Sequence, residues 1–318
     1  MRWTYQILTA LVLDLLIGDP RWFPHPVRFM GRLAGRLEEP FRRHIESPRL
    51  AGLLTALTVV LVTALVTFGL VRGAAWIHPI AEDAAATLVI YMTIAAKDLA
   101  GHSMNVYRAL QSGNLPEARQ RVSWMVGRDT KPLDEAGVIR ATVESVAENT
   151  VDGVIAPLFY AVLGGPVGAM TYKAINTLDS TFGYKNERYA EFGWASARLD
   201  DLANFVPARL TVPLIAMAAG FLGLRPADSL RVCLRDGRKH LSPNSGLSES
   251  AFAGALGIQL GGPLFRHGSL VRMPFLGEPI FELDRNHIRK ATVLMFATLA
   301  LASILLVGMR MLIGRFLS

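Results

Sequence analysis

Residues 50–71 read LAGLLTALTVVLVTALVTFGLV, 22 residues without a charge. As a helix rising ~1.5 Å per residue this stretch is about 33 Å long, enough to cross the hydrocarbon core of a bilayer. A backbone in that core has no water to bond, so only helices and closed barrels remain available. Residues 291–309 (ATVLMFATLALASILLVGM) are a second such span. No alternating strand pattern runs through the chain, so the expected fold class is an all-α polytopic integral membrane protein. It is read as a helical bundle with sizeable cytoplasmic helical segments. Composition agrees: 51% of the 318 residues are hydrophobic and 19% charged, against ~25% charged in an average soluble domain. A disordered chain, a disulfide-knit scaffold and a simple soluble enzyme are excluded.

Residues 3–18 and 76–96 are weaker spans, because Asp14 interrupts the first and Glu82 and Asp83 the second. Arg2 before an apolar run resembles a signal peptide, but Gly18-Asp19-Pro20 replaces a small-residue cleavage site, so an uncleaved first helix is expected. Arg21, Arg28, Arg32, Arg36, Arg42, Arg43 and Arg49 lie between the first span and residue 50. The positive-inside rule places that loop in the cytoplasm. The formal charge of +7 is thereby read as membrane orientation, and no nucleic-acid partner is expected. Segments 19–49, 97–150, 171–204 and 225–290 are expected to be cytoplasmic. Two Gly- and Pro-rich apolar stretches, 153–170 and 205–224, carry positive charge on both flanks and are read as re-entrant or bundle-buried helices. The whole chain, 1–318, is expected to form a single membrane-embedded catalytic domain. Cys233 stands alone, which removes any intrachain disulfide or cysteine metal cluster.

Three polar segments carry chemistry. Ala136 to Val154 has helical apolar spacing, and Glu144, Glu148 and Asp152 recur at i+4 along one stripe, with Asn149 beside it. Like charges at that spacing repel unless a cation offsets them, and Mg²⁺ suits oxygen ligands. The competing reading is a solvated face with an Arg140–Glu144 surface pair. Next, Lys173, Asn176 and Asp179 share a face of a helix that Gly183 ends. Asp200 and Asp201, with Asn204 at helical spacing, then precede Pro207 and Arg209. That pair reads either as Mg²⁺ ligands facing a phosphorylated substrate or as an N-capping pair. Residues 240–249 are read as a polar turn leading into glycine-rich 253–262, with no P-loop signature. His25 and His102 are lone histidines, more often structural than ligating.

In chain order, Gly18-Asp19-Pro20 with His25-Pro26, AKDL at 96–99, VGRDT at 126–130, ESVAENTVDGVIAP at 144–157, KAINTLDSTFGY at 173–184, DDLANFVPAR at 200–209 and SPNSG at 242–246 closely resemble the CobD/CbiB family of cobalamin biosynthesis proteins. The likeness runs from about residue 11 to residue 290.

The resemblance implies an integral membrane enzyme of the cell (cytoplasmic) membrane with its active site on the cytoplasmic side. Such an enzyme joins adenosylcobyric acid, at its propionate f carboxylate, to (R)-1-amino-2-propanol phosphate or a related amino alcohol, with consumption of ATP. It implies ATP as co-substrate, Mg²⁺, the lipid bilayer as partner, and leaves a homo-oligomer open. On that reading the candidate catalytic residues are Asp152, Glu148 and Lys173, Asp152 taking a proton from the amine. The candidate metal ligands are Glu144, Glu148, Asp179, Asp200 and Asp201. Arg128, Asn149, Asn176, Tyr184, Asn204, Arg209 and Asn244 are the candidates for substrate and phosphate binding. A Mg²⁺-dependent membrane transferase acting on a diphosphate or polyprenyl substrate is the alternative; it needs no ATP. A transporter would place its charges within long, repeat-related spans, and no internal repeat is present.

Overall fold

The structure, a computed structural model, describes residues 2–316 apart from Arg21, Phe23, Lys185 and His267, with side chains to Leu312. Arg21, counted above among the loop arginines, lies outside the described residues. The described chain is all-α apart from two short strand pairs. It divides into two compact units, each built from separated stretches of sequence.

The first unit contains residues 1–95, 156–204 and 305–318. Its helices are α1 (Arg2–Ile17), α2 (Pro26–His44), α3 (Pro48–Ile77) and α4 (Pro79–Tyr91). Helices α8 (Ala156–Phe182) and α9 (Trp194–Ala203) complete it. Three starts follow one recipe: His25, Ser47 and His78 cap the first turn with a side-chain acceptor, and a proline supplies the next residue. Proline at the first helical position loses only an N–H that had no partner. His25 is thus a capping residue. The acidic pair that weakened residues 76–96 as a span is matched: Arg2 binds Glu82 at 2.7 Å and Asp83 at 2.6 Å. Gly52 lets α3 approach the chain at Phe192, since a Cβ there would overlap the Phe192 carbonyl oxygen. In α8, Gly165 (φ 58°, ψ −147°) followed by Pro166 breaks the helical path, the usual cause of a sharp kink.

The second unit contains residues 96–155 and 205–304. Helices α5 (Ala96–Gln111), α6 (Leu115–Val122) and α7 (Glu135–Asn149) come from its first stretch. Asp134 caps α7 by accepting the Gly137 N–H at 2.7 Å. Directly after α7, residues Thr150–Ile155 widen into a π-helix, a form that is rare and frequent near functional sites. The second stretch supplies α10 (Phe205–Phe221), α11 (Pro226–Asp236) and α12 (Ser245–Leu256). Strand β1 (Leu260–Gly261) pairs antiparallel with β4 (Phe275–Leu276), and β2 (Leu264–Arg266) with β3 (Ser269–Val271). Helix α12 packs on α7, α10 and α11. Its Gly254 sits against α11 so closely that a Cβ would overlap the Asp228 carbonyl oxygen. Much of the region read as a polar turn and glycine-rich stretch is therefore helix: residues 245–256 form α12, and residues 248–256 are buried. Helix α13 (Asn286–Phe316) closes the chain.

Among the described residues, four helical stretches are long and apolar enough to cross a membrane: Pro48–Ile77, Pro79–Gln111, Glu135–Phe182 and Asn286–Leu312. A fifth arises if the bent pair Trp194–Ala203 and Phe205–Phe221 counts as one span. Outward on α3 stand Leu54, Leu57, Leu61, Leu65 and Phe68, all exposed, a band suited to lipid and not to water. The first helix has 16 residues, short of the ~20 a span needs, and is not among the four. Residues 153–170 belong to the longest stretch, much of it buried within the protein.

Candidate functional site

Each unit gathers part of the polar residues singled out in the sequence. In the second unit, Glu144 and Glu148 lie one turn apart on α7, and Glu144 is buried. Its partner is Arg128, whose Nη2 donates to Glu144 Oε2; Arg140, its partner in the competing surface-pair reading, is not bonded to it. The Gly261 N–H of β1 donates to the other oxygen, Oε1. Ser245, at the start of α12, donates its hydroxyl to Glu148 Oε1 at 2.9 Å. One turn further along α12 comes Glu249, also buried. Its environment is acidic: burial first, then the Glu144 and Glu148 charges, push its carboxyl well above the ordinary carboxylate range, and Arg128 pulls the other way. Two i,i+4 pairs, Glu144/Glu148 on α7 and Ser245/Glu249 on α12, thus belong to one cluster. Nearby in sequence, buried Asn244 accepts an N–H from Arg209 of α10 at 3.2 Å, and the Arg209 guanidinium lies 3.5 Å over the Phe205 ring.

In the first unit, the carboxylates collect at helix C-termini. Asp179 lies in the last turn of α8, and Asp200 and Asp201 in the last turn of α9. The pair is therefore not an N-cap, because α9 begins at Trp194, well before it. Carboxylates at this end of a helix face the negative pole of its dipole. Asp200 accepts amide N–H groups from Asn204 at 3.0 Å and Asn176 at 3.4 Å. Asn204 is fully buried and held in place by the Tyr172 hydroxyl, which donates to its Oδ1 at 2.8 Å. Tyr172 in turn stacks on Tyr160, ring centroids 5.1 Å apart, and Tyr160 donates to the Ala203 carbonyl. The charge of Asp179 bears on the Asp200 carboxyl. At Gly183 a Cβ would overlap Asp179 Oδ1, so only glycine there leaves the carboxylate its position.

The charge of Asp201 also bears on the Asp200 carboxyl. Asp201 sits beside Arg198, 3.4 Å from its guanidinium, on a partly exposed face. Asn149 turns back to donate to the Ser145 carbonyl at 2.9 Å. Asp152 is half-buried in the π-helical segment, and Lys173 half-buried on α8. Tyr184 stands exposed after α8, and its neighbour Lys185 lies outside the described residues. Among the described residues no group of three or more His, Cys, Asp or Glu side chains gathers to hold a metal. Missed in the sequence were Glu249, Ser245, Tyr172 and the Gly261 N–H. The Ser245/Glu249 spacing was visible, but only as part of a supposed turn.

A family model described as CobD/Cbib protein matches residues 7–295. A cobalamin biosynthesis protein CobD from Geobacter metallireducens is 51% identical over 290 residues, covering 91% of each chain. Its counterpart in Pelobacter propionicus is 49% identical over 306 residues, covering 96% of this chain and 95% of that one. A Klebsiella pneumoniae protein of the same name is 44% identical over 304 residues, 95% of each. No solved structure matches the chain.

Proposed function

The chain belongs to the CobD/CbiB family of cobalamin biosynthesis proteins, and from that premise we propose that it is an ATP-dependent amide synthase acting on a corrinoid. The acid is adenosylcobyric acid, reacting at its propionate f carboxylate. The amine is (R)-1-amino-2-propanol phosphate or a close amino alcohol, and the product adenosylcobinamide phosphate. A carboxylate does not react with an amine at neutral pH. It has to be activated, most simply by taking a phosphoryl group from ATP. The amine nitrogen then attacks the acyl carbon, the C–N bond forms, phosphate leaves with the C–O bond, and the amine loses a proton.

The observation that carries the proposal beyond family membership is the carboxylate group at the C-terminal ends of α8 and α9. Asp200, at the negative pole of α9 and bonded to the Asn204 and Asn176 amides, calls for a positive charge. The available ligand atoms are carboxylate oxygens, without sulfur or imidazole, and fit Mg²⁺, which takes one or two protein carboxylates and completes its shell with water and phosphate. Asp179 and Asp200 would hold it. When bound, Mg²⁺ offsets the charge of the nucleotide phosphates. Asn176 and Asn204 orient Asp200, and Lys173 on the Asn176 and Asp179 side of α8 supplies a cation for phosphate oxygens. In the second unit, Arg209, braced by Phe205 and Asn244, is proposed to bind phosphate. Asp152 is the proposed acceptor of the amine proton. The proposed location is the cell membrane, with segments 19–49, 97–150, 171–204 and 225–290 on the cytoplasmic side, where ATP is available. Incubating purified protein with both substrates, with and without ATP and with EDTA, and weighing the corrinoid by mass spectrometry tests the reading.

A further inference from the structure

Glu249 presents a problem that the proposed reaction leaves unsolved. Its side chain is only 8% exposed, and the His240 imidazole Nε2 is 4.0 Å from Oε1, beyond hydrogen-bond reach. No described residue donates a hydrogen bond to it. A buried polar group is ordinarily bonded, and a buried charge ordinarily paired. The other two carboxylates of the cluster are provided for: Glu144 by Arg128 and the Gly261 N–H, Glu148 by the Ser245 hydroxyl. One guanidinium stands against three carboxylates. What is missing is a positively charged group that brings hydrogen-bond donors and needs no further acceptors of its own.

We propose that the α7–α12 cluster binds the ammonium group of a small primary amine, with Glu249 and Glu148 as its carboxylate partners. A primary ammonium carries three donors and no acceptor, and charge-assisted bonds of this kind are short and strong. A divalent metal fits less well. Both Glu144 oxygens already receive N–H donors, and Ser245 points a donor at Glu148. The cluster selects for charge: a neutral alcohol of the same shape leaves the acidic surplus uncompensated. This assignment rests on the amide-forming reading, for which it names the amine subsite, and it makes Glu249 a binding residue of that site.

The test uses the full chain purified in detergent and two probes, (R)-1-amino-2-propanol and its neutral isostere (R)-1,2-propanediol. Wild-type protein is expected to bind the amine at least tenfold more tightly than the diol in calorimetry. Glu249→Gln keeps the shape and removes the charge, and is expected to erase that preference. In the coupled reaction it should raise KM for the amine at least tenfold while KM for ATP stays put. Its melting temperature should hold or rise, because a like-charge repulsion is relieved. Glu148→Gln carries the same expectation and supplies the readout if Glu249→Gln does not fold. Wild-type amine affinity in the Gln variants overturns the proposal, as does equal binding of amine and diol to wild type. Mg²⁺ alone binding in a Glu249-dependent way also overturns it. The two readings fail separately. Glu249-dependent amine binding without ATP-dependent amide formation sinks the reaction and leaves the site. Turnover with an unchanged amine KM in both variants sinks the site and leaves the reaction.

Discussion

The two acidic clusters solve the same electrostatic problem by different means. In the second unit, fixed donors meet two of the carboxylates: a guanidinium and a backbone N–H at Glu144, a hydroxyl at Glu148. The surplus is concentrated on one side chain, Glu249. In the first unit the carboxylates cap the wrong ends of two helices, and Asp200 receives only amide N–H groups. Amides orient a carboxylate without neutralising it. A cluster with one built-in guanidinium and a surplus carboxylate reads as a recognition site for a group of defined charge, whereas Asp200, oriented by amides alone, reads as a seat for a metal with its phosphate ligands. The contrast ties each chemistry to its donors and not to the number of acidic residues.

The sharpest way to break that contrast is Asp200→Asn. The change keeps the size and the Asn204 contact but removes the charge, and turnover should fall about 100-fold, the scale of losing one transition-state electrostatic contact. Raised Mg²⁺ should restore part of it. Near-normal turnover at limiting Mg²⁺ would remove the first unit's cluster from the reaction.

A next-largest effect concerns stability and separates a structural carboxylate from both clusters. Asp236 is buried and accepts from Arg235 at 2.7 Å, Lys239 at 2.6 Å and the Gly277 N–H at 2.9 Å. The Arg235 hydrogen bonds above all hold its carboxyl well below the usual range. A carboxyl with a depressed folded pKa stabilises the fold above the unfolded value, 3.8, and that contribution is lost as pH falls through the folded value. Asp236→Asn should cost about 2 kcal/mol at neutral pH. Its melting temperature should converge on wild type as the medium is acidified, a trend that thermal melts at several pH values would read. A deficit independent of pH would deny the ionic role.

Smaller still is the expected effect of Asp201→Asn. Paired with Arg198 on a partly exposed face, the side chain belongs to a class of ion pair worth about 0–1 kcal/mol. Turnover should change by a few-fold at most. A loss equal to that of Asp200→Asn would show that both adjacent carboxylates serve the cation. The proposed orientation has its own check: single cysteines placed at exposed Ser112 and Asn186, with Cys233 replaced, should resist an impermeant thiol reagent in intact cells. Labelling of either contradicts this topology.

Much of the fold was legible because bilayer crossing imposes a blunt rule: the uncharged run at 50–71 had to be helical, and α3 covers it. The i+4 stripe of Glu144 and Glu148 likewise gave away α7. What stayed hidden has physical causes. Nothing in TVDGVI distinguishes a π-helix from an α-helix, since the widened turn depends on its surroundings. A cap stayed open as the competing reading of Asp200 and Asp201 because α9 starts after Gly193 with no side-chain cap, leaving no start signal upstream. Helix α12 is built from Ser, Gly and Ala, and intrinsic preference for Gly and Ser is weak; contact with α11 at Gly254 decides it. Glu249 was therefore read as part of a turn, and its meeting with Glu144 and Glu148, about a hundred residues away, is a tertiary fact.

The central claim is ATP-dependent amide formation on a corrinoid acid. Its most direct test is purified protein given adenosylcobyric acid, (R)-1-amino-2-propanol phosphate and Mg-ATP, with the corrinoid product weighed by mass spectrometry. The account predicts a corrinoid heavier by the amine less one water, formed only when ATP is present and abolished by EDTA. The same product without any nucleoside triphosphate, or no product from folded protein with all three components, would contradict it.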